Sequence, residues 1–500
     1  MRDAHQVATV RAAERALMDL VPDGALMQRA AAGLASVCAT LLRRAPGFVY
    51  GARVAVLAGS GDNGGDALYA GATLARRGAA VTAIVTGPKT HQGGLAALRA
   101  AGGRVTDAAA TGPVDAADLI IDGLLGIGGR GGLREPFAGL AARAGQARQD
   151  GATVVAVDLP SGIDADTGTV AGPAVKADVT VAFGTLKPGL LVDPGAGHAG
   201  TVELVDIGLG PYLPDEPVAT APQGDDIRAL LPRPGAESDK YRRGVLGLLA
   251  GSDRYTGAAL LSAGGAVHGG AGMIRVVTAD VAAVLVRQAW PETVISVHPD
   301  DPDWDLPGSV GRVQAWVAGP GMGTDPGAVA RLTAIVRTDL PVLVDADGLT
   351  ILSQHRDLLP RNAPTLITPH AGELGRLLGA EPAEVEARRL EHARRAAAEL
   401  GVTVLLKGST TVIAAPDGGP VLVNPTGTPW LATAGSGDVL SGLAGALLAQ
   451  GLPPAQAGLA AAYLHGLAGR LAAAPGASGD TAPIGASDLV RALPAAFRSL

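Results

Sequence analysis

The chain has 500 residues, 47% of them hydrophobic and 17% charged, a balance that excludes a disordered protein and exceeds what one hydrophobic core holds. Two domains are therefore expected. A net charge of −7 argues against nucleic acid as a partner, which calls for a basic stripe.

At the N-terminus, MRDAHQ lacks the apolar run of a secretory leader. No stretch of the sequence approaches the roughly 18 apolar residues of a membrane span, so a cytoplasmic protein with no membrane partner is expected. The single cysteine, Cys38, lies in AAAGLASVCATLL with no histidine nearby. It reads as a buried small hydrophobe, not a metal ligand or half of a disulfide.

Between residues 51 and 207, RVAVLAG, AVTAIVTG, DLIIDGLLG, TVVAVDLPSG, DVTVAFG and TVELVDIG follow one another at regular distances. Runs of this length, alternating with Ala/Leu/Arg segments, predict buried parallel strands with crossover helices. That is a doubly wound α/β domain, Rossmann-like in class, which takes its ligands at the carboxyl ends of the strands. Next, GLGPYLPDEPVATAPQGDD is rich in Pro and acid and reads as a linker. Strand-like runs resume with VLGLLAGS, MIRVVTA, AWVAGPGMG, PVLVDADG, APTLITPH and VTVLLKGS, so the second half is again α/β. The expected division is 1–212, a linker over 213–226, and 227–500. The halves do not align beyond their glycine loops, although AGSGD occurs in both, at 58–62 and 434–438.

The first glycine loop, VAVLAGSGDNGGDALYAG, joins a strand to a helix. Its glycines let a ligand approach the main chain, and its N–H groups with the helix N-terminus favour an anion. The spacing is not that of a dinucleotide fingerprint. A turn using glycine for packing alone is the plainer reading, but Asp62, Asn63 and Asp66 in one loop go beyond it. Asp122 at the next strand end precedes a glycine-rich loop, and Asp158 and Ser161 follow a third strand. One Asp after a strand is most often a cap or turn residue. Three such strand ends converging in one fold make a pocket.

These stretches, with the opening MRDAHQVATVRAAERALMDLVPDGALMQRAA, resemble the N-terminal domain of the YjeF family of bifunctional NAD(P)H-hydrate repair enzymes over residues 1–210. GSGDNGGDA is similar to that family's GxGNNGGDG, and VDLPSGIDADTG to its second signature. The resemblance implies an epimerase that interconverts the R and S forms of hydrated NADH and NADPH (NADHX and NADPHX) and holds a potassium ion. The implied potassium ligands are Asn63, Asp122 and Ser161, a hard oxygen set that suits a hard cation. Implied substrate contacts are Asp62, Asn63, Gly64, Gly65 and Asp66, then Gly126, Ile127, Gly128, Gly129, Arg130, Gly131 and Gly132, and Asp158. Asp158 is the candidate for proton transfer, because ring opening and reclosure need a positioned acid or base. Asp62 departs from the family's Asn and adds a charge, and LMQRA replaces LMExAG.

The second glycine loop, AGSGDVLSGLAG, opens an apolar helix and again turns backbone donors toward an anion. An aspartate there is sufficient as an N-cap. LLKGSTTVIA, however, places Lys407 and three hydroxyls at a strand end, suited to phosphate oxygens, and TLITPHAGE places His370 and Glu373 at another. Residues 240–490 resemble the ribokinase-like fold and, within it, the dehydratase domain of the same family, through GSDRYTGAALLSAGGAVHGGAG, GPGMGTD, VLVDADGL, ITPHAGE, LKGSTT, NPTG and AGSGD. The resemblance implies dehydration of the S hydrate with ADP and Mg²⁺. Implied nucleotide contacts are Lys407, Gly408, Ser409, Thr410, Thr411 and Gly437. Implied hydrate contacts are Ala259, Gly321, His370 and Asp438, with Asp438 as the functional acid that acts on the hydrate hydroxyl. Ser436 stands where the family has Thr.

The alternative reading is a ribokinase-like small-molecule kinase carrying a non-catalytic N-terminal ligand-binding or dimerisation module. TPHAGE and NPTG favour the dehydratase, and Asn63, Asp122, Asp158 and Ser161 favour an active N-terminal site. The family also implies a homo-oligomer.

Overall fold

The computed structural model describes residues 1–129, 131–299, 301, 304–474 and 481–500. Two compact units emerge: Asp3–Ala219, and Thr220–Leu500 together with Met1–Arg2. Residues 213–226, expected to be a linker, contain the strand Ala219–Ala221 and the start of the helix Gly224–Leu230. The flanking prolines conceal a strand of only three residues, too short to set up an apolar period.

In the N-terminal unit one parallel sheet runs Arg104–Asp107, Ala80–Val85, Arg53–Ala58, Leu119–Gly123, Thr153–Val157, Val179–Phe183 and Thr201–Val205. In chain order of these strands that is 3-2-1-4-5-6-7. The order reverses between Arg53–Ala58 and Leu119–Gly123, the crevice where open α/β sheets bind ligands. The strands are near-continuous Val, Ile, Leu and Ala because helices cover both faces.

One expectation about this unit is corrected. The helix Ala25–Arg44 is long and apolar enough to cross a membrane, with mean hydropathy 1.4 over 18 residues. The scattered Gly, Ser and Thr of this segment disguise its apolarity. One face of it, including Leu34, Cys38 and Leu42, is packed in the core of the N-terminal unit. Burial pushes the Cys38 thiol up to about 12, so it behaves as a hydrophobe.

The C-terminal unit repeats the order. Its parallel strands run Val294–Val297, Met273–Thr278, Val245–Leu249, Ala315–Ala318, Val342–Val344, Thr365–Ile367 and Thr403–Leu406, again 3-2-1-4-5-6-7. An antiparallel pair, Thr411–Ala414 and Val421–Asn424, follows. The second AGSGD comes after this pair, so its helix holds a different place in the topology from Asp62–Arg76, the helix opened by the first copy.

That helix, Ser436–Ala449, lies against the helix Thr256–His268 with backbone touching backbone. A Cβ at Gly442 would fall on the Ser262 carbonyl, and one at Gly265 on the Val439 carbonyl. Only glycine permits this approach. Gly442→Ala is expected to lower stability by about 1–3 kcal/mol through overpacking, read by denaturant titration of the full chain.

Candidate active sites

At the N-terminal switch point the loops after Arg53–Ala58, Leu119–Gly123 and Thr153–Val157 enclose a cavity of about 510 Å³. It is lined by Asp62, Asn63, Asp66, Gly126, Ile127, Gly128, Gly129 and Asp158, with Arg11 and Glu14 from the helix Val7–Met18. Asp158 holds φ +65°, a left-handed conformation rare outside glycine. Its Oδ1 accepts from Lys187 Nζ at 2.5 Å and from the Phe183 N–H at 3.0 Å, and both Asp158 and Lys187 are buried. Its Oδ2 has no hydrogen bond among the described residues. Asp66 is buried too, and its Oδ1 has no partner among the described residues. Burial, then the charges of Asp158, Asp62 and Glu14, push Asp66 well above the usual carboxylate range. Glu14 is also raised, chiefly by burial.

Behind the cavity wall, Asp122 is 0% exposed and has no ion pair among the described residues. Burial pushes it up to about 6, against the opposing hydrogen bonds from Ser161 and Leu124. Ser161 donates to it from N (2.9 Å) and Oγ (2.7 Å), and the Leu124 N–H at 3.3 Å. Asn63 Nδ2 donates to the Val157 carbonyl at 2.6 Å and lies 3.4 Å from that of Leu125, which Ser161 Oγ also approaches at 3.2 Å. Asn63 and Ser161 thus meet at the Leu125 carbonyl, and Ser161 links that point to Asp122. An uncompensated buried carboxylate among neutral oxygens is a donor set that fits a hard monovalent cation.

The C-terminal constellation gathers at the ends of Val342–Val344, Thr365–Ile367 and Thr403–Leu406 and at the N-terminus of Ser436–Ala449. Lys407 Nζ donates to Asp345 Oδ1 at 2.7 Å and lies 3.8 Å from Glu373 Oε2. Asp345, 1% exposed, also accepts from Ser441 Oγ at 2.7 Å. Glu373 caps its helix by accepting from the His370 N–H at 2.8 Å, and its other oxygen is 3.5 Å from His370 Nε2. A Cβ at Gly437 would stand 3.5 Å from Lys407 Nζ, so the lysine faces that helix N-terminus. Asp438, half-buried, is pushed up to about 7 by burial, then Asp345, with Lys407 opposing and Asp347 adding. Burial pulls the Lys407 ammonium down, but Asp345 and Glu373 outweigh it, so its net shift is upward. Asp347 accepts from the Gly323 N–H at 2.9 Å and so ties the loop of Gly321 to this cluster. Gly321, at φ +59°, packs on Tyr255 and Ala258 at the start of Thr256–His268, the helix that contains Ala259.

Not every residue singled out in the sequence reaches the sites. Gly64 and Gly65 do not line the cavity: a Cβ on the first would meet Gly59 and on the second Met27 and His91, so both serve close packing. Gly132 packs on Gly172, and Gly131, at φ +74°, turns the loop. Arg130 lies outside the described residues. Ala259 is fully buried, whereas Gly408 and Ser409 are exposed beside Lys407, and Thr411 is buried. Conversely, sequence reasoning missed Lys187, Glu14, Arg11, Asp345, Asp347 and Ser441. Asp345 had a usable signal, an acid directly after a Val-rich strand.

Two doubly wound units, one enclosing an acid-lined cavity and the other setting a lysine against a helix N-terminus, define a two-site α/β enzyme. Residues 246–490 match the family described as NAD(P)H-hydrate dehydratase, and residues 23–189 the family described as YjeF-related protein N-terminus. The bifunctional NAD(P)H-hydrate repair enzyme of Mycobacterium leprae is 49% identical over 503 residues, covering 100% of each chain. That of Moorella thermoacetica is 35% identical, covering 96% of this chain and 93% of its own. Among solved structures, a ribokinase-like superfamily protein of Enterococcus faecalis is 25% identical with a TM-score of 0.50, covering 56% of this chain and 96% of its own. The chain therefore belongs to the bifunctional NAD(P)H-hydrate repair enzymes, with the epimerase in its N-terminal unit and the dehydratase in its C-terminal unit.

Proposed function

We propose that Asp158 moves the proton in epimerisation of the R and S hydrates, and that Asp438 acts on the hydrate hydroxyl in an ADP-dependent dehydration of the S form. The observation that carries the first role is the Asp158 carboxylate, fixed through Oδ1 by Lys187 and Phe183 and leaving Oδ2 uncommitted inside the cavity. The uncommitted oxygen takes the proton of the hydroxyl on the hydrated carbon. The bond from that carbon to the ring nitrogen opens, the nitrogen gains a proton, and reclosure on the opposite face returns both protons. Asp62, Asp66 and Gly126–Gly129 surround the substrate. Asn63, Asp122 and Ser161 would hold potassium, which offsets the buried Asp122 charge and stiffens the wall behind the loops.

In the C-terminal unit, Lys407, Gly408, Ser409, Thr410, Thr411 and Gly437 contact the nucleotide, and Ala259, Gly321, His370 and Asp438 the hydrate. Asp438 accepts the hydroxyl proton as that oxygen attacks the terminal phosphoryl group of MgADP, releasing AMP. Phosphate then departs with the carbon–oxygen bonding pair, a proton leaves the adjacent carbon, and the ring double bond of NAD(P)H is restored. The family supports a homo-oligomeric, cytoplasmic enzyme.

The test is recovery of reduced-nicotinamide absorbance from a mixed R/S hydrate with MgADP. Recovery beyond the S fraction, faster than spontaneous epimerisation, is the expected result. Arrest at the S fraction would remove the epimerase roles, and absence of recovery the dehydratase roles.

A further inference from the structure

We infer that Arg389 is a positioning residue that shapes the nucleotide loop Lys407–Thr411 from beneath; the inference rests on reading that loop as the nucleotide contact. Arg389 opens the helix Arg389–Leu400, directly after a break at Arg388 (φ −135°, ψ 51°). Although it carries a permanent charge, its side chain is 1% exposed. Its Nη1 donates to Glu386 Oε2 at 2.5 Å. Its Nη2 donates to the carbonyls of Leu406 (3.2 Å), Lys407 (2.7 Å) and Thr410 (3.4 Å).

A buried guanidinium is costly unless its protons are used. Glu386, 57% exposed, covers one end only. Nη2 is satisfied by the backbone of a single loop, on both sides of Gly408 and Ser409, while Nε has no hydrogen-bond partner among the described residues. Turning these carbonyls inward has a consequence for the outer face. Across a planar trans peptide the C=O and the next N–H point in opposite directions. With the Lys407 carbonyl bound inward, the Gly408 N–H is turned away from the guanidinium. Oxygens that would repel a phosphate are thereby sequestered, and a backbone donor is presented beside Lys407.

Two further features agree. A Cβ at Gly408 would fall on the guanidinium itself, so this position accommodates no side chain while Arg389 is in place. Lys407 is held at both ends, its carbonyl by Arg389 and its ammonium by Asp345. The loop geometry is thus fixed before the nucleotide arrives.

Arg389→Met and Arg389→Lys in the full-length chain test this, with the N-terminal epimerase rate as internal reference. Arg389→Met is expected to raise KM for ADP about tenfold or more, as loss of a charged hydrogen-bond donor does, with KM for the S hydrate changed by less than about twofold. Arg389→Lys recovers part of the loss, because an ammonium lacks the planar fork. Gly408→Ala, pressing on the guanidinium from above, raises KM for ADP in the same direction and decides the matter if Arg389→Met does not fold. An unchanged KM for ADP in folded variants overturns the inference. So does a parallel loss toward ADP and hydrate that follows a lowered melting temperature. Lys407→Ala separates the two levels: if it leaves KM for ADP unchanged, the reading of the loop fails, whereas silence of the Arg389 and Gly408 variants alone sinks only the role of Arg389.

Discussion

Asp438→Asn lowers the dehydration rate by about 10²–10⁴-fold, the usual worth of a general acid or base, while R-to-S epimerisation continues. Asp438 is pushed up to about 7, and in the role proposed for it the ionised form accepts the hydroxyl proton. Dehydratase kcat/KM in the wild-type chain therefore rises with pH through about 7 and then levels off. The sign of two neighbours follows. Asp347 adds to the upward push, so Asp347→Asn moves the rising limb to lower pH. Lys407 opposes the push, so Lys407→Met moves the limb to higher pH and weakens nucleotide binding as well. A profile that keeps its midpoint in both variants would falsify the assignment of that limb to Asp438.

Asp158→Asn is expected to lower epimerisation by about 10²–10⁴-fold with dehydration of the S hydrate intact. The amide oxygen of Asn can still accept from Lys187 and Phe183, so the φ +65° backbone and the cavity wall keep their ties. Recovery of NAD(P)H from a mixed hydrate then stops at the S fraction and proceeds only at the spontaneous rate. Epimerisation near the wild-type rate would transfer the proton role to another group. Lys187→Met, by contrast, leaves a buried carboxylate unpaired, and breaking such a pair costs about 3–5 kcal/mol. Its phenotype is therefore read first as lost stability in the N-terminal unit.

Both sheets and the positions of most site acids were legible because strand ends advertise themselves. A Val/Ile run terminated by Asp and followed by glycines marked Asp122 and Asp158, and the loop after the first strand marked Asp62–Asp66. The same rule applied to VLVDADG reaches Asp345 and Asp347. Lys187 and Glu14 were not legible, since a lysine before Pro-Gly and a glutamate on a short amphipathic helix look like surface residues in one dimension. Only the fold brings Lys187 to Asp158 and Glu14 to the cavity wall. Gly64 and Gly65 illustrate the reverse error. A glycine-rich loop suggests ligand approach at every glycine, whereas these two are required by neighbouring backbone and side chains. Arg389 gave no signal because its partners in the loop are carbonyl groups, which every residue has, and its ion pair with Glu386 looks like an ordinary i,i+3 surface pair.

The two AGSGD segments are alike locally and unlike in topology. The first follows strand one of its sheet at the switch point, and the second follows an antiparallel pair that only the C-terminal sheet possesses.

The backbone contact between Thr256–His268 and Ser436–Ala449 bears on how this enzyme could be redesigned. Ala259 and Asp438 sit near the starts of these two helices, whose backbones touch at Gly265 and Gly442. At those two glycines there is no side chain whose exchange could reset the distance between the helices. Altered substrate scope is then better sought at His370–Glu373 than at Gly321, which packs on Tyr255 and Ala258 at the start of one of the two helices.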